Sequence, residues 1–115
     1  MRFATIALLT VVTAACGSSF PPPNDEYSAA QADVGRAESG GAPSVPDARL
    51  HLQLAQEDLQ KSKGLIDSGD NKRAADLIAV ARVEAQLALS LAKQLQAEDQ
   101  ARKAQSDVAK AKGGQ

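Results

Sequence analysis

The chain has 115 residues, with 13 Lys plus Arg against 14 Asp plus Glu and a formal net charge of -1. That length suits one small domain, and the balance excludes a polycation for wrapping nucleic acid as well as an acidic tail. One Cys, one His, no Trp, one Tyr and two Phe exclude an intramolecular disulfide framework, a structural zinc site and an aromatic platform for stacking bases.

Met1-Arg2 opens the chain with a positive charge, and Phe3 to Val12 is apolar apart from Thr5 and Thr10. Small residues Thr13-Ala14-Ala15 follow, then the sole cysteine, Cys16. This is the three-part plan of a bacterial secretory signal over residues 1–15: charged start, apolar stretch, small-residue cleavage site. The apolar stretch is about ten residues, half of the roughly 20 that a membrane-spanning helix needs, so no transmembrane helix is expected. Thr13-Ala14-Ala15-Cys16 resembles a lipobox, the processing site of bacterial lipoproteins, with Thr13 standing where the family most often has Leu. The resemblance implies a diacylglycerol thioether on Cys16, cleavage between Ala15 and Cys16, and acylation (palmitate and its like) of the new amino group. The alternative is ordinary secretion with an unmodified thiol. Two or more acyl chains, at about 0.8 kcal/mol per buried CH2, make a stable anchor where one is marginal. Asp after the cysteine marks inner-membrane retention in lipoprotein sorting. The residue here is Gly17, so for a Gram-negative source the resemblance implies an outer-membrane lipoprotein facing the periplasm.

Residues 16–24 read as the lipidated cysteine and a flexible tether, with Pro21-Pro22-Pro23 favouring extended polyproline II. From Asp25 the composition turns helical. Residues 17–115 hold 19 Ala against 18 Leu, Ile, Val and Phe together, so with low net charge and the best helix former in excess the expectation is helix around a thin core.

Two breaks divide the helical region into helices over 25–39, 47–67 and 70–112. Gly40-Gly41-Ala42-Pro43-Ser44-Val45-Pro46 is a turn cluster, and Asp47 after it reads as an N-cap. Ser68-Gly69-Asp70 is a tighter turn. Gly69 suits the left-handed position that ends a helix, and Asp70 suits the N-cap of the next. The middle helix aligns Ala48, Leu52, Ala55, Leu59, Ser62 and Ile66 at spacings of 3 and 4. The third helix aligns Ala74, Ile78, Ala81, Ala85, Ala88, Ala92 and Leu95 in the same way, flanked by Leu77, Val80, Val83, Leu87, Leu89 and Leu91. So wide an apolar arc needs two partner helices, or one partner plus self-association. The fold class is therefore all-α: a three-helix antiparallel hairpin or bundle over 25–95 with a long C-terminal helix. Beyond Leu95 the helix overhangs its partners, and residues 96–115 are expected as a polar helix with a frayed tail. Glu98-Arg102 and Asp99-Lys103 offer i,i+4 support there.

Val34, Ala37, Gly40, Ala42 and Pro43, the spaced Leu and Ala of 48–66, and then Gly69-Asp70 with Ala74, Leu77, Ala81, Ala85 and Ala88 together resemble a bacterial domain-of-unknown-function family numbered 4398. The similarity covers roughly residues 28–95. Members are small exported helical lipoproteins, and the domain also occurs ahead of OmpA-like peptidoglycan-binding domains. The resemblance implies a periplasmic helical module and no catalytic residues. The Gly-Asp turn also looks like a tetratricopeptide-type hairpin, but no second 34-residue copy is present.

The residue inventory offers little chemistry. His51, the only imidazole, lies on the rim of the middle helix's stripe with no nucleophile to serve, and reads as an amphipathic rim residue. Glu84 falls inside the apolar arc of the third helix, where an unpaired carboxylate is costly. It reads either as a register-fixing contact or a partner site, or as a group that reaches out between helices towards His51, Lys61 or Lys63. Gly40-Gly41 and Gly113-Gly114 lack phosphate-loop spacing, and no metal or other cofactor is expected. The tail cations Arg102, Lys103, Lys110 and Lys112 read as solvated.

The expectation is a non-enzymatic, lipid-anchored envelope protein that acts as a structural or protein-interaction module. Its partners are the membrane through Cys16 and an envelope protein or a second copy, with no nucleic acid and no small-molecule substrate. Leu50, Leu54, Glu84 and Leu89 are the candidate interaction residues. The alternatives are a self-associating coiled-coil spacer or an assembly and chaperone accessory.

Overall fold

A computed structural model of the chain describes residues 19–114. The secretory signal, Ala15 and Cys16 lie outside them. Three α-helices account for most of the described chain: α1 (Asn24–Ser39), α2 (Pro46–Asp67) and α3 (Asn71–Gly113), with a single 3-10 turn at Ala42–Ser44 between α1 and α2. No strand occurs among the described residues. The all-α expectation holds, and each helix boundary falls within one residue of where the Gly and Pro clusters placed it.

The two turns work differently. Gly69 has φ +82, and its N–H donates to the Ile66 carbonyl at 3.0 Å while Asp70 N–H donates to Leu65 at 2.9 Å. These are the paired bonds of a Schellman ending, which satisfy carbonyls that α2 would otherwise leave open. Asp70 does occupy the N-cap of α3, but its side chain makes no capping bond and instead accepts from Arg73 at 3.2 Å. Asp47 is not the cap of α2. Val45 takes that position with Pro46 just inside the helix, because proline's fixed φ and missing N–H suit the first helical residue. The first connection is tight for another reason. A Cβ on Gly40 would stand 2.3 Å from Leu89 Cδ1, so α1 ends against α3 with only a hydrogen atom between them.

α2 and α3 form an antiparallel hairpin, and α1 packs chiefly on α3. The buried seam of α3 is Ala74, Ile78, Ala81, Ala85, Ala88 and Ala92, and that of α2 is Ala48, Leu52, Ala55, Leu59 and Ser62. Ile66 and Leu95, the last residue of each expected seam, are only half-buried. Facing alanines let the axes approach at the close end of the usual 8–10 Å range, which is how a chain poor in large aliphatics still closes a core. Buried Ser62 donates its hydroxyl to the Leu59 carbonyl at 2.8 Å, so it carries no unmet polar cost.

α1 runs parallel to α3. Its middle, at Asp33, bonds Arg82 and Gln86, and the Gly40 carbonyl after its end accepts from Gln96 at 3.0 Å. The segment before α1 is also held. Asn71 Nδ2 donates to the Phe20 carbonyl at 2.8 Å, and Pro23 is buried. Residues 20–24 therefore belong to the folded unit rather than to a flexible tether. Past Gln96, α3 continues as an exposed helix to Gly113. Arg102 there pairs with Asp99, and Glu98 accepts from Gln94 at 2.9 Å, in place of the two i,i+4 ion pairs expected.

Candidate functional site

The hairpin has two faces, and α1 covers one of them. Residues two apart on a helix point about 200° apart. Arg82 and Gln86 bond Asp33 of α1, so Glu84 between them points to the other face. There, His51 Nδ1 of α2 lies 2.6 Å from Glu84 Oε2. An ionised Glu84 can only accept, so this contact requires either the Nδ1–H tautomer or the imidazolium. Glu84 thus meets His51 across the hairpin, a contact between the two helices. Lys61 and Lys63 pair instead with Asp58 and Asp67 on their own helix.

This pair sits in the middle of an open apolar face. Val80 and Leu87 lie one turn to either side of Glu84, and Leu54 lies one turn from His51. All three are exposed, as are Leu50 and Val83. The face continues at both ends in shallow grooves, one between Leu65, Leu77 and Val80 and the other between Val45, Leu91 and Leu95. Leu77, Val80, Glu84, Leu87 and Leu91 alternate at spacings of 3 and 4, a second heptad seam beside the buried alanine one. Of the candidate contact residues, Leu50, Leu54 and Glu84 belong to this surface. Leu89 does not: it packs against the core and over Gly40, on the side that α1 covers.

A second cluster escaped the sequence reading. Asp33 is 2 % exposed, and it accepts from Arg36 at one oxygen and from Arg82 at 3.0 Å and Gln86 at 3.4 Å at the other. Two cations and an amide hydrogen-bond this carboxylate, so its burial is offset, and it fixes the register of α1 on α3. The signal was present in α1. Asp33 is three residues after Ala30 and four before Ala37, both fully buried, so it stands in the apolar stripe. Its partners on α3, Arg82 and Gln86, lie 49 and 53 residues away and could not be read from spacing.

Among the described residues, no group of three or more His, Cys, Asp or Glu could hold a metal ion, and no helix is long and apolar enough to cross a membrane. Residues 25–104 match the family described as Domain of unknown function (DUF4398). The match is wider than the resemblance read from the motifs and takes in the start of the overhang. No curated protein and no solved structure matches the chain.

Proposed function

The chain belongs to the DUF4398 family, and from that premise we propose that it is a lipid-anchored, non-catalytic helical module of the bacterial envelope whose working surface is the open α2–α3 face. The single observation that carries the reading is that face: Leu50, Leu54, Val80, Val83 and Leu87 stay exposed on a domain that buries mostly alanine. Exposed apolar patches rimmed by polar residues mark interaction sites. The charged start, short apolar stretch and small residues before Cys16 support export and acylation, and Gly17 supports the outer membrane of a Gram-negative cell, on its periplasmic side. A partner helix of matching apolar stripe would lie along the seam from Leu77 to Leu91.

The test is site-specific photo-crosslinking in cells, with the reactive residue at Leu54 or Leu87 and a control at Lys93, an exposed residue seven after Gln86 and so on the side that α1 covers. Discrete adducts from both face positions, absent from the control, support the reading. No adduct, or the same adducts from Lys93, refutes it. The 3-and-4 spacing of the open seam favours a second reading, self-association along α3. An adduct of twice the chain mass, with a melting temperature that rises with protein concentration, would assign the face to a second copy.

A further inference from the structure

The bundle has two unlike ends. The start of α1, the α2–α3 turn and the start of α3 share one end, here called the base. The upstream chain is tied to it. Asn71 at the first turn of α3 holds the Phe20 carbonyl at 2.8 Å, Pro23 is buried, and the Asn24 and Tyr27 amides donate to the Pro22 and Pro23 carbonyls at 2.9 and 3.0 Å. Whatever holds the chain by its N-terminal side therefore holds the bundle by its base. Three residues, and so four steps along the chain, separate Cys16 from Phe20, a reach of at most about 14 Å.

From the base α1 and α3 both run away in the same direction. α3 has 43 residues, so its far end stands about 64 Å from the base at 1.5 Å per residue. α1 and the first connection brace it as far as Gln96, which donates to the Gly40 carbonyl. Residues 97–113 then rise as an arm of about 26 Å, in which all but Asp99 are exposed. The upper part of the arm carries Arg102, Lys103, Lys110 and Lys112 against Asp107 alone.

We propose that the domain is a base-on strut: the α2–α3 turn faces the membrane that holds the chain, and residues 97–113 are carried about 40 to 64 Å above that turn as a rigid helical arm. The proposal rests on the reading of Cys16 as the anchor. Two consequences follow. The open α2–α3 face stands along the membrane normal, so its partner approaches from the side and not from the lipid. The cationic tip lies several Debye lengths, at about 8 Å each, from its own headgroups, so its charges are available to something distal and do not serve to hold the domain on its own bilayer.

The test uses the acylated protein purified from membranes and returned to phosphatidylcholine vesicles that carry an energy-transfer acceptor on their headgroups. With the Cys16 thiol consumed by the thioether, Ser68→Cys at the base and Ser106→Cys on the arm each offer one thiol for a donor dye. Both positions are exposed, and helical circular dichroism confirms that each variant folds. Transfer at least fivefold stronger from position 68 than from 106 is expected, with the ratio falling at least twofold when Asn71→Ala releases the clamp. Equal transfer from both positions in acylated protein would overturn the strut and leave the anchor standing. A mass without acyl chains on the same sample would overturn the anchor, and the strut with it.

Discussion

Ala85→Leu tests whether the alanine seam sets the distance between α2 and α3. Ala85 is fully buried, as are Ala81 and Ala88 beside it and Ala48 and Ala55 on α2. The substitution adds three carbons. At about 0.8 kcal/mol per buried CH2, a seam with room for them would gain up to about 2.4 kcal/mol. A seam already at contact distance must instead part its helices or force a strained rotamer, which costs about 1–3 kcal/mol. The two cases differ in sign, so direction alone decides. The account predicts a loss of about 2 kcal/mol, equivalent to a fall in melting temperature of about 8–16 °C for a domain of this size. Thermal and urea unfolding, followed by circular dichroism on protein carrying Cys16→Ser, read it out. Val83→Leu on the 63 % exposed open face is the control and should change stability by less than about 0.5 kcal/mol. A rise in stability for Ala85→Leu would refute close packing through alanine and point to a void between the helices.

Asp33→Ala should cost about 2 kcal/mol in urea unfolding. That is less than the 3–5 kcal/mol typical of breaking a buried pair, because the abandoned Arg36 and Arg82 side chains are 63 % and 42 % exposed and regain water. Gly69→Ala should cost about 1–2 kcal/mol from its φ of +82 alone, since nothing lies within 4 Å of the added carbon. A smaller loss would show that the turn can relax to another form. Deleting residues 101–115 should lower the helical signal while moving the melting temperature by no more than about 4 °C, because residues 101–114 are exposed throughout. A larger shift would mean that the arm folds back on the bundle.

Much of this fold was legible because its signals are local. Gly69 and the Gly40–Pro46 cluster punctuate the chain through backbone geometry that few other residues tolerate, and the 3-and-4 spacing of alanine marks the buried seams without reference to any partner. Glu84 stood out for the same reason, as a charge inside an apolar arc, although which of three side chains it would meet needed the structure. Asp33 carried an equal signal on a shorter and more polar helix, and two of its three partners, Arg82 and Gln86, sit on α3, far along the chain. The exchange of Asp47 for Val45 as the cap turned on one residue, Pro46, whose preference for the first helical position outranks the side-chain oxygen of Asp47. Leu89 reads from the sequence as an exposed contact residue, although it stands four residues after buried Ala85 and so close to the seam. The close approach at Gly40 places it under α1, while Leu87 stays in the open.

The anchor is the claim on which the envelope role and the strut both depend. The measurement that tests it most directly is the intact mass of the protein extracted from membranes, wild type beside Cys16→Ser. The account predicts a di- or triacylated mass that begins at Cys16 in the wild type, and its loss in the variant together with release from the membrane fraction. An unmodified mass cut near Ala15, with the wild-type protein free in the soluble fraction, would contradict it.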